Sequence, residues 1–310
     1  MARSRASKFD ASEVITNELI RVIERGVLPW RKPWTAGTST RPLRHTGEPY
    51  QGINNFLLTM RTQLAGYGSP FWMTIRQANA LEAKVRKGEK SSVVVYYGNA
   101  PSREDDKEAD DQTEETASGG FRFQKAYRVF NADQIEGLPD RFHPDPTPEP
   151  DHPPHEPIPH MQDFFDAIEI VTSFTGREAY YMAAVDKVYM PDISLFEDPR
   201  SFYGVWAHEL AHATKARHRL NRSYGDARFG NTAYAREEIV AELASCFLGQ
   251  ELGFSAHTRE MSAAYLDNWL RVLRSDKTAI FKHAADAQRA CDWLIAASKA
   301  GRKTATNEAA

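Results

Sequence analysis

The chain has 310 residues, 41% of them hydrophobic and 26% charged, with 18 Gly, 17 Pro and a formal net charge of -3. These proportions exclude a wholly disordered, collagen-like or coiled-coil chain, and the length favours two domains over one stretched core. Two cysteines, Cys246 and Cys291, exclude a disulfide framework and a four-thiolate metal site and fit a reducing compartment. With no apolar run of signal-peptide or membrane-spanning length, the expectation is a cytoplasmic protein with no membrane partner.

Charge is divided unevenly, at +8 over residues 1–98, -6 over 99–120, -3 over 121–160 and -2 over 161–310. The basic first third also carries Trp30, Trp34 and Trp72 and several Tyr and Phe, which sets it apart from the rest of the chain. Along it, Ser12 is placed to cap a helix with Val14, Leu19, Val22 and Ile23 on its apolar side and Gly26 to stop it. A Pro-, Gly- and Trp-rich stretch from Pro29 to Gly52 reads as ordered loop. Thr74 opens a second helix with Ile75, Ala78, Leu81 and Val85 at helical spacing, ended by Lys87-Gly88. Val93–Tyr97 and Ala126–Phe130 read as strands, and the acidic segment 99–120 between them as a disordered insertion.

From His143 to His160, eight of eighteen residues are Pro and four are His, so the segment reads as an extended linker. Beyond it, Ile168–Val171, Ala179–Met182 and Val188–Met190 read as strands. Helices are expected over about 201–216, 235–252, 259–274 and 278–298. The domain expectation is 1–142, a linker over 143–160, and 161–310.

His208-Glu209-Leu210-Ala211-His212 lies inside the first of those four helices. Residues four apart stand one turn apart on one face, so both imidazoles reach a single Zn²⁺ at two corners of a tetrahedron. Glu209 then stands beside the metal without binding it, where a general base takes a proton from water. A third ligand is needed. Glu238 and Glu242 share a helix face off the apolar stripe of Ile239, Leu243, Phe247 and Leu252, so that one ligates while the other accepts the outer N–H of a ligating imidazole. His218 competes at the spacing of metzincins, but those have a Gly midway to turn the chain where this sequence has Lys215. Glu242 itself is the remaining alternative.

Several motifs in order also resemble one family. Gly26 to Trp34, Thr46–Asn54, Pro70-Phe71-Trp72, Lys87-Gly88-Glu89-Lys90, Val129-Phe130-Asn131 and Gln134–Pro139 are similar to the single-stranded-DNA-binding domain of ArdC-type plasmid antirestriction proteins. His208–His212, Arg219-Leu220-Asn221-Arg222 and Tyr234–Glu238 resemble that family's zincin metallopeptidase domain. The resemblance implies a metal-carrying protein that binds incoming DNA and blunts restriction, and it carries the family's third ligand onto Glu238. Lys215 and His218 depart from the family pattern.

The expected architecture is therefore α+β: a basic DNA-binding domain followed by a zincin-like domain. Lys and Arg neutralise phosphates while aromatic faces stack on unpaired bases, which makes single-stranded DNA the expected partner. Arg31, Lys32, Trp34, Arg41, Arg44, Tyr50, Arg86, Lys87 and Lys90 are the candidate contacts. A host protein or peptide is the alternative partner, cleaved by a Zn²⁺ peptidase; Val188–Met190 would be the edge strand on which it pairs, and Tyr234 a candidate oxyanion contact. Mn²⁺ and Co²⁺ also suit a His₂Glu donor set.

Overall fold

The structure, a computed structural model, describes residues 10–25, 41–99, 114–116, 122–145, 153–196, 198–225, 231–254 and 263–308. It divides into two compact units, Met1–Val22 with Pro42–Asp145 and Ile23–Arg41 with Pro146–Ala310. The candidate DNA contacts Arg31, Lys32 and Trp34, and the helix stop at Gly26, lie outside the described residues.

The first helix, α1 (Ala11–Glu24), is capped by Asp10 rather than Ser12: the Asp10 carboxylate accepts from the Ser12 and Glu13 amides at 2.9 and 3.2 Å. Ile15, Leu19, Val22 and Ile23 are buried, and Val14, expected among them, is 40% exposed. After β1 (Leu43–Arg44) comes α2 (Gly52–Ala65), in a region whose sequence signals no helix. It opens on Gly-Ile-Asn-Asn with no side-chain cap at Gln51, and Ile53 and Asn55–Met60 are all buried, so no polar face breaks the apolar run. The buried Thr59 hydroxyl donates to Asn55 Oδ1 at 3.2 Å within the helix.

Next follow β2 (Phe71–Met73) and α3 (Ile75–Ala80), where Thr74 does cap its helix, in a reciprocal box with Gln77. That helix ends at Ala80 instead of running to Lys87. Val85 belongs to a short strand, β3 (Lys84–Val85), whose partner near residue 135 outweighs its helical spacing. The remaining strands of this unit are β4 (Ser92–Asn99), β5 (Glu114–Thr116), β6 (Arg122–Asn131) and β7 (Ile135–Glu136). The sheet runs β1-β2-β6-β4, with β5 also on β6; β1 and β2 are parallel and the other pairs antiparallel. Part of the segment expected to be disordered is therefore strand, at Glu114–Thr116, and Asn99 ends β4. Tyr50, Leu58, Trp72, Val94 and Val129 form one core cluster, Met73, Ala78, Ala132, Ile135 and Phe142 part of a second.

In the second unit the chain enters α4 (Pro159–Asp166) at the end of the expected linker, with Pro159 in the first turn, where its missing N–H has no cost. Three short strands follow: β8 (Thr172–Phe174), β9 (Tyr180–Met182) and β10 (Lys187–Met190). Ile168 and Ile170, expected in a strand, are instead buried loop residues ahead of β8. Strand order is β8-β10-β9, so Val188–Met190 is central and not an edge. It pairs parallel with β8 and antiparallel with β9, leaving no open backbone for a peptide, and its alternation buries Val188 and Met190.

Four helices complete the unit, α5 (Pro199–Ala213), α6 (Thr232–Leu252), α7 (Ala263–Ser275) and α8 (Ala279–Glu308). Asp198 caps α5 and Asn231 caps α6, each through its side chain. α6 packs against α5, α7 and α8, so it is buried nearly all round rather than along one stripe. Where α5 meets α6, the buried Ser245 hydroxyl donates to the carbonyl of the buried Gly204 at 2.9 Å, so two small residues let the helices approach closely. Among the described residues no helix is long and apolar enough to cross a membrane.

Candidate metal centre

Close approach of α5 and α6 brings together the residues that the sequence pattern singles out. His208 Nε2 and His212 Nε2 lie 3.1 Å apart, and the Glu238 carboxylate lies 3.6 Å from the first and 3.3 Å from the second. A tetrahedral ion with ligand bonds of about 2.0–2.1 Å spaces its donors by about 3.3 Å, so these three atoms stand at the corners such an ion requires. Two imidazoles and a carboxylate are a borderline donor set that takes Zn²⁺, Mn²⁺ or Co²⁺, and the residues present fit a divalent ion.

Behind the three donors stands a ring of carboxylates. Glu242 Oε2 is 3.7 Å from His208 Nδ1, and Glu237 Oε1 is 3.3 Å from His212 Nδ1, so each imidazole has a carboxylate at its outer nitrogen. Such partners fix the tautomer and the ring plane. Sequence reasoning placed Glu242 in this role but gave none to Glu237, which is next to Glu238 and about 100° around the helix.

Glu237 is in turn held by Arg222, whose Nε and Nη2 donate to its two oxygens at 3.0 and 2.8 Å. The same guanidinium donates to the Ala211 carbonyl and the Thr214 hydroxyl at the end of α5. Arg222 therefore ties the end of α5 to α6. It was legible only as part of the Arg219–Arg222 motif. Arg219 makes a paired contact to Asp186, at 2.7 and 2.8 Å, anchoring the loop after α5 to the turn between β9 and β10.

That loop settles the place of His218. The reversal after α5 falls at Asn221, in the left-handed region with φ 48, while Lys215 is not among the left-handed residues. Asn tolerates this conformation better than most side chains. His218 ends 63% exposed and 3.2 Å from Asp186, outside the donor cluster.

Burial would depress the His212 imidazole, but the charge of Glu238, hydrogen bonds to Glu237 and Glu238, and the charge of Glu209 raise it to about 10. Burial opposes ionisation of Glu238, and His212 and His208 overcome it, holding the carboxyl well below the usual range. Glu237 is likewise drawn down to about 2, against its burial, by His212 and Arg222. Glu209 is 4% exposed. Glu209, Glu237 and Glu242 are buried and Glu238 is 12% exposed, so four carboxyl groups surround two imidazoles and one guanidinium, an excess of acidic groups that a cation offsets.

The six described candidate DNA contacts, Arg41, Arg44, Tyr50, Arg86, Lys87 and Lys90, have different surroundings. Arg41, within the second unit, is bound by Glu251 and Gln288 of that same unit, and Arg86 is paired with Glu89 at 2.9 Å. Lys87 and Lys90 are exposed. Arg44 and Tyr50 do come together, with the guanidinium 5.4 Å above the phenol ring.

Comparison with known proteins agrees along the chain. Residues 9–130 match the N-terminal domain of the anti-restriction factor ArdC, and residues 159–286 a zincin-like metallopeptidase domain. The Sinorhizobium fredii protein y4eC is 34% identical, over 95% of this chain and 94% of its own. The Escherichia coli DNA primase TraC is 32% identical over 92% of this chain, which spans only 27% of that primase. The crystal structure of the metal-free antirestriction ArdC protein of plasmid R388 superposes with a TM-score of 0.76 at 38% identity, covering 94% of this chain and 98% of that one. Its Mn(II)-bound form gives 0.75 at 37% identity. The chain belongs to the ArdC antirestriction family.

Proposed function

We propose that this ArdC family member is a cytoplasmic protein that protects incoming plasmid DNA from host restriction by binding it as a single strand, and that it carries a divalent metal, Zn²⁺ foremost, on His208, His212 and Glu238. The observation that carries the reading is the end-to-end likeness to the R388 antirestriction protein, over nearly all of both chains. The net +8 of residues 1–98 supports placing the DNA-binding function in 1–142, ahead of a linker over 143–160 and the metal-bearing domain over 161–310. Likeness to part of a DNA primase supports a DNA partner as well.

A second reading is favoured by Glu209, buried and acting electrostatically on His212. An ion on the three donors would supply Lewis acidity, and Glu209 would then accept a proton from water attacking a peptide carbonyl. On this reading the protein is a metallopeptidase that cuts a host protein and uses DNA to find it. An in-cell restriction assay with Glu209→Ala separates the two. Protection that survives with metal content unchanged supports shielding, and protection lost with metal content and DNA binding unchanged supports the peptidase.

A further inference from the structure

The first unit contains a groove of about 430 Å³ that the candidate contacts chosen from turn-rich segments only partly found. Its volume is that of an ordinary small-ligand pocket. Arg44 and Arg76, both exposed, stand on its walls, with Glu48 the acidic side chain among its lining residues. Tyr50, Tyr96 and Tyr127 supply aromatic surface. The register of the β4–β6 pair places Val94 opposite Tyr127, and alternation puts Tyr96 and Val129 on that same face. Tyr96 is 53% exposed on its strand, so its ring is open to solvent at the groove.

The groove is also fixed. Asn54 donates to the Val95 carbonyl at 2.7 Å and accepts from the Val95 amide at 2.8 Å, clamping α2 to β4 beside it. Arg44 is steadied by the Tyr50 ring beneath it. His45 is held below its usual pKa by burial and by Arg141 and Arg44, so near neutrality it offers a hydrogen-bonding nitrogen rather than a charge.

Resting on the single-strand reading above, we propose that this groove is a nucleotide subsite: an unpaired base enters it against Tyr96 and Tyr127 while Arg44 and Arg76 hold the flanking phosphates. A base paired in a duplex is stacked on both faces and cannot enter, so the groove selects single strands without reading sequence.

The test measures binding of a fluorescent oligothymidylate to the full chain over a range of salt. Arg44→Ala with Arg76→Ala should weaken binding at least tenfold and reduce the salt slope by about 1.4, at roughly 0.7 for each phosphate released. Tyr96→Ala should weaken it about fivefold to a hundredfold with the slope unchanged, and Tyr96→Phe should restore it. Lys87→Ala with Lys90→Ala should have the smaller effect. If wild type binds the oligonucleotide and the groove variants bind as tightly, or if a duplex displaces it as well as a single strand does, the groove assignment is wrong while DNA binding stands. If wild type does not bind it at all, the single-strand reading itself falls.

Discussion

The metal centre and the aromatic groove are built in opposite ways. In the centre, both donor imidazoles are braced from behind, His208 by Glu242 and His212 by Glu237, which Arg222 holds in turn. Nearly all of it is buried, and the short-side-chain contact between α5 and α6 sets the spacing. In the groove, Arg44, Arg76 and Tyr96 are exposed, and Asn54 clamps α2 to β4 beside them. A metal ion requires donors held to within tenths of an ångström, whereas a flexible polyanion of any sequence is better served by adaptable charges over stacking surfaces. Substitutions behind the donors should therefore have large effects on the centre, and comparable surface changes near the groove small ones.

The largest effect is expected at Glu237. Removing it leaves the Arg222 guanidinium, 5% exposed, buried without its carboxylate, which costs about 3–5 kcal/mol of stability. Denaturant unfolding of Glu237→Ala in chelator measures this apart from metal binding. Replacing Arg222 with Met as well should recover much of the loss. The exposed counterpart in the first unit, Arg86 with Glu89, should contribute no more than about 0.5 kcal/mol when Arg86→Ala is made. Equal losses for the two pairs would remove the contrast.

Metal affinity comes next. A binding energy of about 10–16 kcal/mol divided over four ligands gives about 3 kcal/mol each, so Glu238→Ala should weaken binding by on the order of a hundredfold or more. Glu242→Ala, which removes a brace and not a donor, should cost about 10–100-fold. His218→Ala should keep the metal, since that ring faces Asp186. Metal titration of the purified variants checks the order, and retention by Glu238→Ala with loss by His218→Ala would reverse the ligand assignment.

A pH effect of similar size is expected at His283 on α8. The ring is 1% exposed, neither nitrogen has a hydrogen-bond partner, and burial lowers its pKa to about 4, with Asp286 and Asp276 opposing and Arg236 and Lys282 assisting. Below pH 6.5 the unfolded chain takes up a proton that the folded chain refuses until about pH 4, so stability is full above 6.5 and falls through that window by about 3 kcal/mol. His283→Phe should flatten this limb in unfolding experiments between pH 7 and 4. The losses from protonating Glu237 and Glu238 begin as pH falls through the usual carboxylate range and continue down to about pH 2 for Glu237, and should persist in the variant.

What the sequence made legible follows the reach of each interaction. The His208–His212 pair is an i, i+4 relation within one helix, and Glu238 and Glu242 repeat that relation on the next, so both faces are readable from spacing. The contact of Glu237 with Arg222 crosses a loop and has no period, and nothing local distinguishes Glu237 from its neighbour. Strand order is likewise non-local: Val188–Met190 reads correctly as a strand, but its central place depends on partners that only the folded chain supplies. Helix α2 escaped because burial on most sides erased the pattern that marks an amphipathic helix. Arg76, Tyr96 and Tyr127 escaped for a related reason, as groove residues on elements whose local pattern suggests only structure. The resemblance to the ArdC family supplied what spacing left open, the choice of Glu238 over Glu242.

The smallest predicted effects sharpen the comparison further, because two helix caps stand in equivalent relation to the two sites. Asn231 accepts from the Tyr234 amide at 2.8 Å and fixes the first turn of α6, one to two turns ahead of Glu237 and Glu238. Thr74 and Gln77 close the first turn of α3, which carries Arg76 at the groove. Loss of either cap costs about 1 kcal/mol locally. In Asn231→Ala, fraying of that turn reaches a carboxylate whose position is also set by Arg222 and α5, so metal affinity should fall by less than about tenfold. In Thr74→Ala, Arg76 gains freedom on a helix of only six residues, and oligothymidylate affinity should fall a few-fold with the salt slope nearly unchanged, since the charge remains. Each variant should leave the other site's measurement at the wild-type value. A Thr74→Ala protein with altered metal affinity, or an Asn231→Ala protein with altered DNA affinity, would show that the two sites are energetically coupled, and the contrast between a braced centre and an independent groove would have to be given up.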